Sequence, residues 1–239
     1  MTDATAREHA TRLTVATMVA GILALAPLGA EDNEPTRRLT EASAVLSEIM
    51  DTPDKGIPTE LLEKAYCIVI VPELKTAAFV VGGKYGRGYV SCRNSAGSGW
   101  SAPGAVRIEG GSVGFQIGGS STDVIMLVMS ERGAEKLLES EFTLGGEASA
   151  VAGPVGRTVA AQTDAQLRAD ILSWSRSQGL FVGVALQGAT LRQDLDDNTT
   201  LYGKKIDNRD IVRTGIGVPQ AAEKLIAQLD RYSGRERAQ

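Results

Sequence analysis

The chain has 239 residues, 43% of them hydrophobic, enough for one sizeable core, which excludes a disordered tail, a collagen or a disulfide-dense miniprotein. Twenty-five basic against 29 acidic side chains leave a net charge of −4, which excludes nucleic-acid binding through overall charge, so any anion site must be local. Glycine at 27 residues against 8 prolines suits many short strands joined by tight turns better than a helical bundle.

Residues 1–30 read as a signal peptide. Arg7 and Arg12 precede an apolar run from Leu13 to Leu28, and Leu28-Gly29-Ala30 offers the small residues a signal peptidase needs. At about 16 residues the run falls short of the roughly 20 that span a bilayer. Cleavage before Glu31 leaves a single domain over 31–239, exported to the periplasm or secreted. The alternative is a retained, membrane-tethering helix, since Asp3 and Glu8 dilute the positive charge ahead of the run.

Leu39, Ala42, Leu46, Ile49 and Met50 share one stripe at helical spacing, and Pro53 and Gly56 stop that helix. The stripe packs on a core or, alternatively, enters a membrane surface. Pro58 opens a second short helix carrying Leu61, Leu62 and Ala65. The period then changes. Cys67 to Pro72 is a continuous apolar run rich in β-branched residues, the pattern of a strand covered on both faces.

Thr76 to Val81 and Tyr85 to Arg93 read as further strands parted by a Gly82-Gly83 turn. Val106 to Glu109 reads as another, with Gly110-Gly111 turning the chain into Ser112 to Gly118. In that last segment Val113, Phe115 and Ile117 alternate with small or polar residues. One face is nearly bare, so something packs closely on it or the sheet bends sharply there.

Asp123 to Met129 predicts a buried strand and Glu131 to Glu139 a helix ended by Gly145-Gly146. The stretch 147–161 reads as a strand broken at Gly153-Pro154. Ile171 to Ser177 and Leu180 to Leu186 predict two more strands, and 220–232 a final helix with Ala222, Leu225, Ile226 and Leu229 on one face. The expected fold is α+β: a mostly antiparallel curved sheet, barrel- or sandwich-like, with peripheral helices.

The chemistry is bounded by what is scarce. His9 is the one histidine, and cleavage removes it, which excludes Ser-His-Asp and Cys-His catalysis and histidine-ligated zinc. Two cysteines cannot build a four-thiolate zinc site. In an oxidising compartment Cys67 and Cys92 could pair, but on alternate strands of a meander they would lie too far apart to bridge. Asp194, Asp196 and Asp197 fail as a calcium loop, because position six would be Thr199 and position twelve Lys205. They read as a polar turn after a strand. Gly82 to Gly88 has neither the order of a phosphate loop nor its terminal lysine, and reads as turn chemistry. No catalytic residue, metal ligand or cofactor is assigned, and the chain reads as a non-enzyme.

Charge distribution points to a site. From Leu74 to Ile108 stand Lys75, Lys84, Arg87, Arg93 and Arg107 with no acidic residue, interleaved with Phe79, Tyr85, Tyr89 and Trp100. Cations beside amphipathic rings suit a lipid headgroup boundary. Alternatively, the strands alternate solvated cations with core aromatics.

Glu-Lys-Ala-Tyr-Cys-Ile-Val-Ile-Val-Pro (63–72), Val-Gly-Gly-Lys-Tyr-Gly-Arg-Gly (81–88), Trp-Ser-Ala-Pro (100–103), Gly-Gly-Ser-Val-Gly-Phe-Gln-Ile-Gly (110–118), Ala-Gly-Pro-Val-Gly-Arg (152–157), Trp-Ser-Arg-Ser-Gln-Gly-Leu-Phe-Val-Gly (174–183) and Gly-Ala-Thr-Leu (188–191) follow one another in the order of the SYLF family, which the chain resembles. The resemblance implies a phosphoinositide-recognising, lipid-binding domain carried in eukaryotes by endocytic and actin-regulating proteins. Some fungal members bind actin, and bacterial members are commonly exported.

Family members that bind phosphoinositides use basic residues in the helix ahead of the sheet. Here Arg37 and Arg38 face Glu34, Glu41 and Glu48, so the acid-free segment is the better candidate. The sequence is expected to carry no SH3 domain or zinc-binding lipid module after the sheet. The expected function is therefore an envelope module binding an anionic lipid or membrane surface, and not nucleic acid, through Lys75, Lys84, Tyr85, Arg87, Arg93, Trp100 and Arg107. The alternative is a structural or protein-interaction domain, actin-binding-like, without a small ligand.

Overall fold

Asn33 caps the first helix, its side chain accepting from Thr36 N at 3.0 Å, and Pro35 sits in the first turn, where a missing N–H costs nothing. The helix, α1 (Glu34–Asp51), buries Leu39, Ala42, Val45, Leu46 and Ile49 on one face, as the spacing predicts. Each large apolar side chain removed from water there contributes about 1.5–3 kcal/mol. The computed structural model describes residues 33–52, 56–94, 99–155, 168–177, 180–184 and 186–233. The expected signal peptide and residues 156–161 of the broken-strand stretch lie outside them.

After α2 (Thr59–Lys64) the chain enters β1 (Cys67–Cys92), which pairs antiparallel with β2 (Gly104–Val128) along nearly its whole length. The short strands and glycine turns expected here are corrected by this finding. Gly82 and Gly83 lie within β1, opposite Ser112 and Gly111, and Gly110-Gly111 lie within β2. These glycines are ladder positions in two strands of 26 and 25 residues.

A two-stranded ribbon of that length cannot lie flat on a small core, and it bends back on itself. Register shifts fall between Val71 and Leu74 and between Ala78 and Val80. Glu73, at φ 50°, marks the first, and its N–H is taken by Asp123 Oδ1 at 3.0 Å. The two arms of β1 then touch. A Cβ on Gly88 would overlap the Ile70 carbonyl, and one on Gly86 would lie 2.9 Å from side-chain carbons of Val71 and Leu74. Bare glycine is what lets the arms approach.

The bend brings the two ends of β1 together. Tyr66 N donates to Val128 O and Arg93 N to Tyr66 O, both at 2.8 Å, and Cys67 and Cys92 form a disulfide with Cα atoms 3.9 Å apart. The distance argument against pairing is thereby overturned. The cysteines are not on alternate strands of a meander but at opposite ends of one strand folded in half.

The other edge of β2 carries two sets of strands. Its Val106–Glu109 segment pairs with β7 (Thr190–Gln193), which pairs in turn with β3 (Glu141–Thr143). Its Asp123–Val128 segment pairs with β5 (Ile171–Ser177), flanked by a parallel β4 (Ala150–Ala152) and an antiparallel β6 (Leu180–Gly183). Among the described residues this is one strongly curled, mostly antiparallel sheet of seven strands with helices around it, the α+β class expected.

Strand alternation divides the core in two. Ile68, Ile70, Tyr89, Ile125, Leu127, Leu172 and Trp174 face α1, α2 and the last helix, α6 (Glu223–Ser233). Cys67, Val69, Val71, Val90, Val124, Met126 and Val128 face the opposite way, toward α3 (Glu131–Leu137) and β3. The unbroken apolar run at Cys67 to Val71 is thus a strand covered on both faces. No described helix is long and apolar enough to cross a membrane.

Candidate functional site

Asp194 follows β7 and caps α4 (Leu195–Tyr202), its carboxylate accepting from Asp197 N at 3.3 Å, and Gly203 at φ 68° closes the helix in the left-handed conformation. This corrects the expected polar turn. The Asp-x-x-Asp spacing places two carboxylates on the first turn of a helix, where its dipole favours negative charge. Both are buried, Asp194 at 0% exposure and Asp197 at 4%.

Such carboxylates require partners, and two distant elements supply them. Arg38 of α1, itself buried, donates through Nη1 to Asp197 Oδ2, and Arg87 of β1 donates through Nη1 to Asp197 Oδ1 at 3.2 Å. Arg87 Nε lies 3.3 Å from Asp194 Oδ2 but gives its hydrogen to Tyr85 Oη at 2.7 Å. The Tyr85 hydrogen bond raises the Arg87 guanidinium above its ordinary value against the opposing effect of burial, and the two aspartates add to it. Burial and the charge of Asp194 push the Asp197 carboxyl up, while Arg38 and Arg87 pull it back. Two guanidinium groups against two carboxylates make a charge-balanced lock joining α1, β1 and α4. Close by, Tyr89 Oη donates to Pro35 O at 2.7 Å, pinning the start of α1 to the sheet.

A cleft of about 640 Å³ opens between Lys75, Thr76 and Ala77 on one arm, with Gly119, Ser120 and Ser121 of β2, and Gly83, Lys84 and Tyr85 on the other. Its lining includes two lysines, three residues with hydroxyl side chains and a tyrosine, and, among the described residues, no acidic side chain. Lys75 and Tyr85 also wall an adjoining cleft of about 340 Å³, where Arg37, Arg38 and Arg87 meet Glu34, Glu41 and Glu73. The first cleft is cationic and the second charge-mixed.

The seven sequence-predicted residues therefore separate. Lys75, Lys84 and Tyr85 meet at the cationic cleft, and Tyr85 is 45% exposed. Arg87 lines the adjoining charge-mixed cleft and is engaged with Asp194 and Asp197. Arg93 and Trp100 serve the fold: Arg93 donates to the carbonyls of Leu62 and Ser233 and stacks 4.3 Å over Trp100, which is buried with its Nε1–H on Ser233 Oγ. Arg107 pairs with Glu109 at 2.9 Å. Sequence reasoning missed Arg38, Asp194 and Asp197. The signal available for the aspartates was their three-residue spacing ahead of a helix.

Among the described residues no group of three or more His, Cys, Asp or Glu could hold a metal. The arrangement offers anion recognition by lysine ammonium, hydroxyl and phenol groups.

A family model described as "Ysc84: Las17-binding protein actin regulator" matches residues 109–232. The chain is 31% identical over 207 residues to the SH3 domain-containing YSC84-like protein 1 of Bos taurus, covering 86% of this chain and 60% of that protein. It is 32% identical over 180 residues to Protein YSC84 of Saccharomyces cerevisiae, covering 74% and 38%, and 36% identical over 177 residues to the SH3 domain-containing protein PJ696.02 of Schizosaccharomyces pombe, covering 73% and 41%. The chain thus spans less than two thirds of the length of each of these relatives. With more than half of its residues matched by the family model, and the resemblance read from its motifs, the chain belongs to the Ysc84 (SYLF) family.

Proposed function

We propose that the chain is a non-catalytic protein-interaction domain of the actin-regulator type, which presents the cleft between the arms of β1 to an acidic surface of its partner. One observation carries the reading: Lys75 and Lys84, nine positions apart in sequence, share a cleft that, among the described residues, no carboxylate lines. The family description, which names a Las17-binding actin regulator, supports a protein partner.

An anionic lipid headgroup is the second reading, favoured by the half-exposed Tyr85 ring beside the two lysines. Co-sedimentation with actin filaments and with phosphatidylserine vesicles, comparing wild type and Lys75→Ala/Lys84→Ala, tests both. Binding to filaments that weakens about tenfold or more in the double variant supports the first reading. Binding to vesicles alone, weakened about thirtyfold because each lysine near a charged surface contributes about 1 kcal/mol, supports the second. Binding that ignores both the substitutions and salt overturns the site.

The domain is proposed to act outside the cytosol after cleavage before Glu31. The Cys67–Cys92 disulfide supports this, since such bonds persist in oxidising compartments. Intact-mass measurement on protein from its native host tests it, and a full-length cytosolic species would overturn it.

A further inference from the structure

Where the two ends of β1 meet, a separate cleft of about 660 Å³ opens. Cys67 and Cys92 are part of its lining, together with Ala134 of α3, Leu138 just after it, and Val212 of α5 (Asn208–Arg213). The same five residues belong to one buried cluster, so the disulfide lies where the inner core meets the cleft floor. Tyr66, 45% exposed, forms part of the wall. The charged lining is balanced: Arg93 and Arg213 stand against Glu131 and Glu135, and Arg213 is paired with Glu135.

We propose that this cleft is a thiol-exchange site, through which a small-molecule thiol opens the Cys67–Cys92 disulfide while the domain stays folded. Cys92, at 5% exposure against 1% for Cys67, is assigned as the sulfur attacked. A small thiolate bonds to Cys92 Sγ, the Sγ–Sγ bond breaks, and its electron pair leaves on Cys67 Sγ, which takes a proton. A second thiol attacks the sulfur of the bound small molecule. This releases Cys92 as a thiol and the two small molecules as their own disulfide, so two thiols are oxidised and two cysteines reduced.

The fold survives because the ends of β1 are also held by the bonds of Tyr66 N to Val128 O and of Arg93 N to Tyr66 O. What is lost is the covalent clasp on a strand folded in half. The balanced charge suits a small thiol that carries no charge besides that of its own thiolate.

The test uses the full oxidised chain in native buffer with 2-mercaptoethanol. Samples are quenched with iodoacetamide, and alkylated cysteines are counted by mass as a function of time and of urea below the unfolding transition. Two exposed positions of the lining are varied: Tyr66→Ala to widen the cleft and Glu131→Trp to obstruct it. The expected result is reduction whose rate is flat in sub-denaturing urea, several-fold faster in Tyr66→Ala and several-fold slower in Glu131→Trp, with circular dichroism unchanged on reduction. A rate that climbs with urea as steeply as global unfolding, and that neither variant moves, would show that the disulfide opens only in the unfolded chain and would overturn the proposal. Free thiols in the untreated protein would overturn it as well.

Discussion

Arg38 on α1 and Asp197 on α4, 159 residues apart in the chain, form a buried ion pair, with Arg87 on β1 donating to the other carboxylate oxygen of Asp197 at 3.2 Å. The pair joins the first described helix to α4, just after β7, and both arginines that hold Asp197 line the charge-mixed cleft. A buried pair is weak evidence for net stability, because desolvating both ions offsets much of their attraction. Breaking it is different, since one charge is then left buried without its partner.

Arg38→Ala is therefore expected to destabilise the domain by about 3–5 kcal/mol, while Arg38→Met with Asp197→Leu, which removes both charges and keeps volume, should cost far less. Urea unfolding of the three proteins measures this. Equal destabilisation in the single and double variants would show that an uncompensated buried charge is not what makes the single change costly.

Gly88 and Gly83 lie on the same strand with opposite expectations. A Cβ at Gly88 would overlap the Ile70 carbonyl and sit 2.7 Å from the Val71 Cα, both backbone atoms that cannot step aside. A Cβ at Gly83 would meet nothing nearer than Gly110 O at 3.9 Å. Gly88→Ala should cost about 3 kcal/mol or more, and Gly83→Ala should be close to neutral. Thermal unfolding of the two variants decides, and a stable Gly88→Ala would mean that the arms of β1 do not press together.

Asp170 supplies an acid limb to the stability curve. Burial pushes its carboxyl up, but hydrogen bonds from Ser130 Oγ and from the backbone and side chain of Ser149 outweigh this and hold it below its ordinary value of 3.8. A carboxyl depressed in the folded state binds fewer protons there than in the unfolded chain. Its contribution is thus present above pH 3.8 and lost as pH falls toward the lower folded value. Asp170→Asn should flatten the fall in melting temperature below about pH 4 relative to wild type. An unchanged acid limb, measured by circular dichroism melts across that range, would assign the loss to other carboxylates.

Much of this architecture was readable from local pattern. The stripe Leu39, Ala42, Leu46, Ile49 marks the buried face of α1, and the β-branched run at Cys67 to Val71 marks a strand with core on both sides, because helical and strand periods of burial are written directly into residue spacing. The ordered motifs carried the family. Lys75, Lys84 and Tyr85 were also visible, as cations and a ring in an acid-free stretch, and these three meet in the structure.

What the tertiary structure alone decided are the relations between distant positions. Gly82-Gly83 reads locally as a turn, yet it lies in a ladder, since pairing with Gly111 and Ser112 satisfies its backbone without reversing the chain. Cys67 and Cys92 read as remote until β1 bends back on itself, and Asp194 and Asp197 read as a solvated turn until α1 and β1 bring Arg38 and Arg87 against them. Residue spacing determines which side of an element is buried. Which other element buries it is decided by where a long ribbon bends, and that depends on backbone approach at Gly86 and Gly88, contacts that no local period records.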